Sequence, residues 1–184
     1  MLLSCLKISL CTFILSVGIS LLALTYLYQI KSTGEVFLEN APGKVSISRE
    51  TDTGIIHVVG ETWKSVAYGQ GFACAQNRLW QMEKYRRVAR GTTAEIFGEE
   101  QVPFDSYMRG IGTHRHSQAT WDAGDYPEEW KEIAEAYADG VNDYVKGVSL
   151  SSSDDERTGN LLPLEFYIFN IDFESWTPVD TIAF

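Results

Sequence analysis

Residues 63–89 are predicted to form one long helix, and this stretch constrains the fold more than any other part of the chain. Thr62 is suited to the N-cap, and Gly91 to the left-handed position that ends such a helix. Gly69 and Gly71 each cost roughly 1 kcal/mol of helix propensity against alanine, so we expect them to let another backbone approach closely. Side chains that recur every three or four residues share one face of a helix. They are Phe72, Ala75, Leu79, Met82 and Arg86.

Four arginines lie within this predicted helix or at its end: Arg78, Arg86, Arg87 and Arg90. Our first interpretation is that they form salt bridges to the many acidic residues, with packed stems and solvated head groups. A clamp for a substrate carboxylate is one alternative. Buried structural pairing, for example with Glu95 or Asp139, is the other.

The N-terminal segment, residues 8–30, carries no charged side chain from Ile8 to Ile30 and is long enough to cross a bilayer as a helix. Tyr26 and Tyr28 stand where aromatic side chains favour the membrane interface. A cleaved signal peptide is the alternative, but its apolar core is usually about 7–15 residues long and ends at a small-residue cleavage site. We therefore favour a signal anchor that holds the protein in a membrane as a single-pass chain. The main domain would lie outside the cytosol, and cleavage of the segment would make the protein secreted.

These patterns divide the chain into three parts: an anchor at residues 1–31, a stalk at residues 32–44 and a main region at residues 45–184. The main region opens with a predicted β-hairpin. Residues 51–54 form its turn cluster, and residues 55–59 are its second, β-branched strand. In that strand we interpret His57 as packed or hydrogen-bonded rather than catalytic.

Shorter helices are predicted after the long one. Residues 92–95 can start a short helix that Gly98 ends. Residues 104–121 then have a helical pattern that is interrupted at Gly110 and Gly112.

Neither a metal site nor a disulfide is indicated. His114 and His116 have a spacing that can bind a metal, but no third ligand is evident beside them. Cys5 and Cys11 belong to the N-terminal segment, which leaves Cys74 alone in the main region and without a partner for an internal disulfide. We expect Cys74 to be a small buried residue in a helix.

The best amphipathic helix is predicted to begin at Pro127, a residue that is favourable at the first helical position. Residues 139–142 are expected to interrupt its pattern, and residues 149–160 read as a polar loop. Its apolar residues follow a three-and-four spacing. They are Trp130, Ile133, Ala134, Tyr137, Val141, Tyr144, Val145 and Val148.

Two short helices are predicted near the end of the chain. Residues 161–167 start an apolar one. In the other, Thr177 is the N-cap, Pro178 the first helical residue and Asp180 the third, near the positive end of the helix dipole. Phe184 follows about one turn later, which we interpret as the mark of a truncated product or gene fragment.

Composition narrows the functional classes. The chain has 25 acidic against 15 basic side chains and a net charge of −10, so it repels phosphate backbones and nucleic acid is not an expected partner. A hydrophobic content of 45% excludes a disordered chain. A single apolar segment without an internal charge offers no conduction path, which argues against a transport protein.

Several patches, taken in order, resemble the N-terminal part of the penicillin acylase (penicillin amidase) family. The four main ones are SRE at 48–50 with GIIHV at 54–58, YGQG at 68–71 with AQNRLWQME at 75–83, RR at 86–87 with Gly91, Ala94, Glu95 and Gly98, and YADGVN at 137–142. LPLEF at 162–166 and WTPVD at 176–180 also match the family's spacing. There are departures: the family usually has Asp at Asn77, Asp at Glu50 and Pro at Ile56. Asn77 thereby removes a negative charge beside Arg78.

The resemblance implies an α+β fold, mainly helical with an N-terminal β-hairpin, as the α-chain part of an αββα N-terminal-nucleophile hydrolase. Such enzymes are made as precursors and cut themselves into an α and a β chain. The first residue of the β chain, normally Ser, attacks a linear amide, and its own α-amino group, with a pKa of about 8, acts as the base. The oxyanion donors and most ligands of the family's calcium site also lie in the β chain. The resemblance therefore assigns no catalytic, substrate-binding or metal residue to this chain.

Two functional hypotheses follow. In the first, the chain is the front part of a membrane-anchored amide hydrolase and is inactive alone. Its partners would then be the β chain of the same precursor and a small-molecule amide such as a penicillin, a glutaryl cephalosporin or an N-acyl homoserine lactone. In the second, it is a non-catalytic, membrane-tethered helical interaction module that has kept the α-chain fold.

Overall fold

A computed structural model describes residues 12–23, 40–149 and 161–183. Residues 12–23 are helical (α1) and belong to the predicted anchor, whose remaining residues lie outside the described ones. Most of the predicted stalk and of the polar loop at 149–160 also lies outside them. Within these three ranges no helix is both long enough and apolar enough to cross a membrane. The anchor therefore stays a prediction.

The predicted hairpin is confirmed. Strand β1 (Val45–Arg49) pairs antiparallel with β2 (Ile56–Gly60), with Val45 opposite Gly60. Gly54 lies in the connecting turn with φ +72°, a conformation that a residue without a Cβ adopts at no steric cost.

The long helix α2 (Trp63–Arg90) begins and ends where the sequence predicts. Thr62 Oγ1 accepts a hydrogen bond of 3.1 Å from the backbone N–H of Ser65. Gly91 takes left-handed dihedrals of φ 66° and ψ 50°, and its N–H is directed at the carbonyls of the last turn. All five residues of the predicted face are buried. The pattern did not predict that Arg78 breaks the helical geometry, with φ −141° and ψ 29°, so that α2 is kinked near its middle.

The other helices follow in short succession. Gly98 ends the first of them, and Gly112, with φ +74°, separates the second from the third, both as predicted. The helices are α3 (Ala94–Phe97), a 3₁₀ turn (Glu99–Gln101), α4 (Val102–Ile111), α5 (Thr113–Ala123), α6 (Glu128–Ser149), α7 (Leu164–Ile168) and α8 (Pro178–Ile182).

Helices α2 and α6 cross at two glycines. A Cβ added to Gly71 would lie 2.1 Å from the carbonyl oxygen of Tyr137, and one added to Gly140 would lie 2.0 Å from that of Tyr68. The prediction that Gly71 allows a close backbone approach is thus confirmed. Gly69 serves a different contact, because its Cβ would meet the side chains of Val45 and Val58 in the hairpin.

The hydrophobic core lies between α2 and α6 and is closed by residues from the end of the chain. Two expectations for α6 are wrong. Residues 139–142 do not interrupt the helix, since Gly140 is the crossing point and Val141 is fully buried. Trp130 is 67% exposed because it precedes the part of α6 that α2 covers. The core residues are Phe72, Ala75, Leu79, Met82, Ala138, Val141, Tyr144, Val145, Phe166 and Trp176.

Asn142 fastens the C-terminal segment to α6. Its side-chain amide donates to the carbonyl of Trp176 at 2.9 Å, and its oxygen accepts the Trp176 N–H at 2.7 Å. Thr177 and Asp180 form the capping box of α8, with Pro178 in the first turn, as predicted.

Candidate functional site

Three of the four arginines of α2, Arg86, Arg87 and Arg90, form the predicted salt bridges to acidic residues. The centre of this network is buried, which corrects the expectation of a solvated head group for Arg86. The Arg86 side chain is 1% exposed and pairs with Glu83 one turn earlier, while Asp180 lies 3.9 Å away. Its guanidinium also lies against the rings of Phe173 and Trp176, 5.0 and 5.3 Å from their centroids. A cation in such a place needs both its charge partner and its stacking partners, because burial removes its water.

Arg87 and Arg90 extend the network to either side. Arg87 donates to Glu83 and, at 2.7 Å, to Glu95. The predicted pairing with Glu95 therefore forms, but at the surface, because the Glu95 side chain is 62% exposed. Arg90 donates to Glu174 and to Asp180, each at 2.7 Å. The hydrogen bond from Arg90 holds the pKa of Glu174 below its ordinary value.

The two carboxylate oxygens of Asp180 therefore make different contacts. Oδ2 accepts from the backbone and hydroxyl of Thr177, at 3.0 and 2.8 Å, and so caps α8. Oδ1 accepts from Arg90. Because these guanidiniums are paired internally, the network fixes the C-terminal segment on α2 and does not present a clamp to a substrate carboxylate. In the part of the chain that the structure describes, Asp139, the other predicted partner, forms no salt bridge with these arginines.

Arg78 stands apart from this network and lines an open cleft of about 680 Å³ at the kink of α2. The cleft lies between the hairpin, the kinked part of α2 and the start of α7. Guanidinium, amide, carboxylate and apolar side chains line it. They are Arg49, Ile56, Gln76, Asn77, Arg78, Leu79, Trp80, Gln81, Pro163 and Glu165.

The predicted histidine and cysteine sites resolve into local contacts. His57 Nε2 lies 3.0 Å from Glu50 Oε1, in agreement with a hydrogen-bonded role. His114 Nε2 is 4.0 Å from Asp180 Oδ1, and burial together with the positive charge of Arg90 lowers the pKa of His114. Cys74 is partly buried and packs against the core.

A calcium ion usually takes six to eight oxygen ligands. In the part of the chain that the structure describes, no three His, Cys, Asp or Glu side chains come together in a group that could hold a metal.

A second buried polar group joins the stalk to the core. Asp143 is 5% exposed and accepts hydrogen bonds of 2.7 Å from the Tyr68 hydroxyl and from the Asn40 amide. Burial, and next the hydrogen bond to Asp143, raise the pKa of Tyr68 far above its ordinary value. Sequence periodicity could not find this group, because its three members lie on different elements.

Comparison with known proteins gives the same family from sequence and from structure. The family model described as penicillin amidase matches residues 44–184. Penicillin G acylase from Escherichia coli is 33% identical over 143 residues, which are 77% of this chain and 16% of that protein. Penicillin acylase 2 proenzyme from a Pseudomonas species is 28% identical over 151 residues, or 82% of this chain and 18% of that protein.

Among solved structures, a thermostable penicillin G acylase from Alcaligenes faecalis matches with a TM-score of 0.64 and 30% identity. The match covers 76% of this chain and 69% of that one. The chain spans about a sixth of the length of the two curated relatives, so its counterpart in them is one part of a larger protein.

Proposed function

Because this chain belongs to the penicillin amidase family, we propose that it is the first helical layer of a hydrolase that cleaves carbon–nitrogen bonds of linear amides. The family match over residues 44–184 is the observation that carries the proposal. The mostly helical fold with its single hairpin, which is similar to a penicillin G acylase structure, supports it.

In this proposal the chain supplies the framework and a separate β chain of the same precursor supplies the chemistry. The hydroxyl of the β chain's N-terminal Ser gives its proton to its own α-amino group and attacks the amide carbonyl. The amine leaves with that proton, and water then releases the acyl group. The name of one relative, a proenzyme, supports a precursor that is processed. We place the family's calcium ion on that β chain as well.

The contacts of the described polar side chains agree with a framework role. Arg86, Glu83 and Asp180 satisfy one another inside the fold, and Asp143 is held by Tyr68 and Asn40. Such groups fix the relative positions of α2, α6 and α8 without needing a substrate.

We also propose that Ile8 to Ile30 anchor the protein in a membrane. The uncharged run between Lys7 and Lys31 supports this, as do the apolar side chains of α1, among which Leu22 is 71% exposed. Membrane fractions washed with alkaline carbonate should retain the protein with its N-terminus intact by mass spectrometry. A soluble protein that begins after residue 30 would show cleavage instead.

A chimera tests the amidase proposal. Residues 44–184 replace the matching region of the Escherichia coli penicillin G acylase, and hydrolysis of chromogenic acyl anilides is measured. We expect the chimera to mature into two chains and to keep the parent's order of preference among acyl groups, since this layer makes no substrate contact. A chimera that matures but is inactive would favour the alternative, a non-catalytic interaction module, for which no described contact gives separate support.

A further inference from the structure

We infer that the cleft at the kink of α2 is a binding site for a small organic carboxylate with an apolar or aromatic body. The site is independent of the hydrolysis proposed above. Its volume of about 680 Å³ falls within the range of about 300–1,000 Å³ in which proteins hold small molecules.

Two guanidiniums give the cleft its positive charge. Arg49 donates to the amide oxygens of Asn77 and Gln76, at 2.6 and 3.1 Å. Arg78 donates to the amide oxygen of Gln81 at 3.0 Å. Both acceptors of Arg49 and that of Arg78 are neutral, whereas the three arginines of the buried network all pair with carboxylates.

No carboxylate among the described residues forms an ion pair with Arg49 or Arg78. Glu165 also lines the cleft, so the lining carries two positive charges and one negative charge. A net positive cleft on a chain of net charge −10 favours an anionic ligand. Guanidinium groups bind carboxylates through paired hydrogen bonds, which favours a carboxylate over a spherical anion.

Asn77 decides this charge balance. Its side-chain N–H₂ donates to the carbonyl of Ala73 at 2.6 Å while its oxygen accepts from Arg49, so the amide is held in one orientation. An aspartate at this position would pair with Arg49 and cancel its charge. The cleft would then have no net positive charge.

The apolar wall of the cleft is preorganised. Trp80 stacks on Phe169, with ring centroids 5.4 Å apart and planes within 9°, and meets the edge of Phe166 at 5.6 Å. The indole therefore cannot turn away without breaking these contacts. Trp80 and Pro163 line the cleft together with the two guanidiniums, a combination that suits an aromatic carboxylate.

The test is a titration of the full 184-residue chain with benzoate, followed by NMR of the arginine and amide side-chain N–H groups. Benzyl alcohol, of similar shape but uncharged, is the control ligand. We expect saturable shifts with benzoate and a dissociation constant at least about tenfold higher for benzyl alcohol. Equal binding of the two ligands, or no saturation by benzoate, would overturn the inference.

Variants of the cleft distinguish an effect of its charge on benzoate binding from a loss of the folded structure. N77D exchanges an exposed side chain for one of similar size and should fold, yet it should weaken benzoate binding at least about tenfold, as should R78Q. R115Q removes an exposed guanidinium on α5, outside the lining, and should leave binding unchanged. Circular dichroism checks each fold, and R78K replaces R78Q if that variant unfolds. Unchanged binding in N77D would refute the role of Arg49.

A peptide that ends in a free carboxylate, N-acetyl-Gly-Phe, and its amide form distinguish a polypeptide ligand from a small molecule. We expect the peptide to bind no more tightly than benzoate. A dissociation constant about tenfold lower than that of benzoate, lost in the amide, would overturn the assignment to small carboxylates. All of these experiments measure binding, so a negative result does not bear on the amidase proposal. An inactive chimera, in turn, does not bear on the carboxylate site.

Discussion

Replacing Gly71 with alanine tests the crossing of α2 and α6, on which the whole core depends. The new Cβ would lie 2.1 Å from the carbonyl oxygen of Tyr137 and 2.9 Å from its carbonyl carbon. An ordinary carbon contact is about 3.5 Å, so the helices must separate by more than about 1 Å. The opposing atoms are backbone, and no side-chain rotation can relieve the clash.

The expected magnitude follows from two opposing terms. Overpacking a core costs about 1–3 kcal/mol, and a clash with backbone falls at the upper end of that range. Alanine returns up to about 1 kcal/mol of helix propensity. The net loss of unfolding free energy is therefore about 2 kcal/mol, which is roughly a thirtyfold shift toward the unfolded state. For a chain of this length it corresponds to a Tm lower by about 4–8 °C.

Gly110 provides the matched control. It lies in α4, and a Cβ there would meet nothing within 4 Å. Gly110→Ala should therefore raise the unfolding free energy by up to about 1 kcal/mol. Urea unfolding followed by circular dichroism measures both variants. If Gly71→Ala were as stable as Gly110→Ala, the close approach of the two helices would be refuted.

Three other substitutions probe the buried polar groups. Arg86→Met leaves Glu83 and Asp180 without their buried cation and should lower the free energy of unfolding by about 3–5 kcal/mol. The control, Arg115→Met on the surface, should change it by less than about 0.5 kcal/mol in urea unfolding. Similar losses in both variants would contradict the network. Asp105 accepts from the backbone N–H groups of Thr93 and Ala94 and from the Thr93 hydroxyl, at 2.9, 2.7 and 2.6 Å, and although burial opposes it, these bonds lower the pKa of Asp105. A carboxyl with a lowered pKa stabilises the fold above its ordinary pKa of about 3.9 and loses this contribution as the pH falls through the lowered value. Asp105→Asn should therefore lose about 1–3 kcal/mol at pH 7 and less as the pH falls toward 2, and an equal loss at both values would refute the assignment. Burial, and next the hydrogen bond to Asp143, raise the pKa of Tyr68, so its contribution to stability is complete below about pH 10 and is lost at higher pH. Tyr68→Phe should be less stable at pH 7 and should show a smaller further loss of stability between pH 9 and pH 11 than the wild type. An unchanged alkaline loss would contradict the raised pKa of the buried hydroxyl.

Local rules predicted the element boundaries well. Thr62 and Gly91 at the ends of α2, and Thr177 with Asp180 at the start of α8, are set by backbone groups within a few residues, so the sequence reveals them. The hairpin and the division of α4 from α5 were predicted for the same reason.

The same local rules did not predict features that depend on contacts between residues far apart in the sequence. Gly140 looks like a helix breaker in the sequence, but it allows α6 to meet the carbonyl of Tyr68. Arg86 looks like a surface cation, but residues near Trp176, about ninety positions later, bury it. The spacing of apolar residues continues through Leu79 and Met82, so it does not indicate the kink at Arg78. The cleft at the kink could therefore not be predicted either.

In the function proposed above, this chain provides the framework and the β chain provides the reactive group. The most direct test of this claim is the rate of acyl-anilide hydrolysis by the purified 184-residue protein, followed across the fractions of a final size-exclusion column. We predict no turnover above buffer in the fractions that contain the chain. Turnover that co-elutes with the chain, and persists after further purification has removed contaminating hydrolases, would contradict the account.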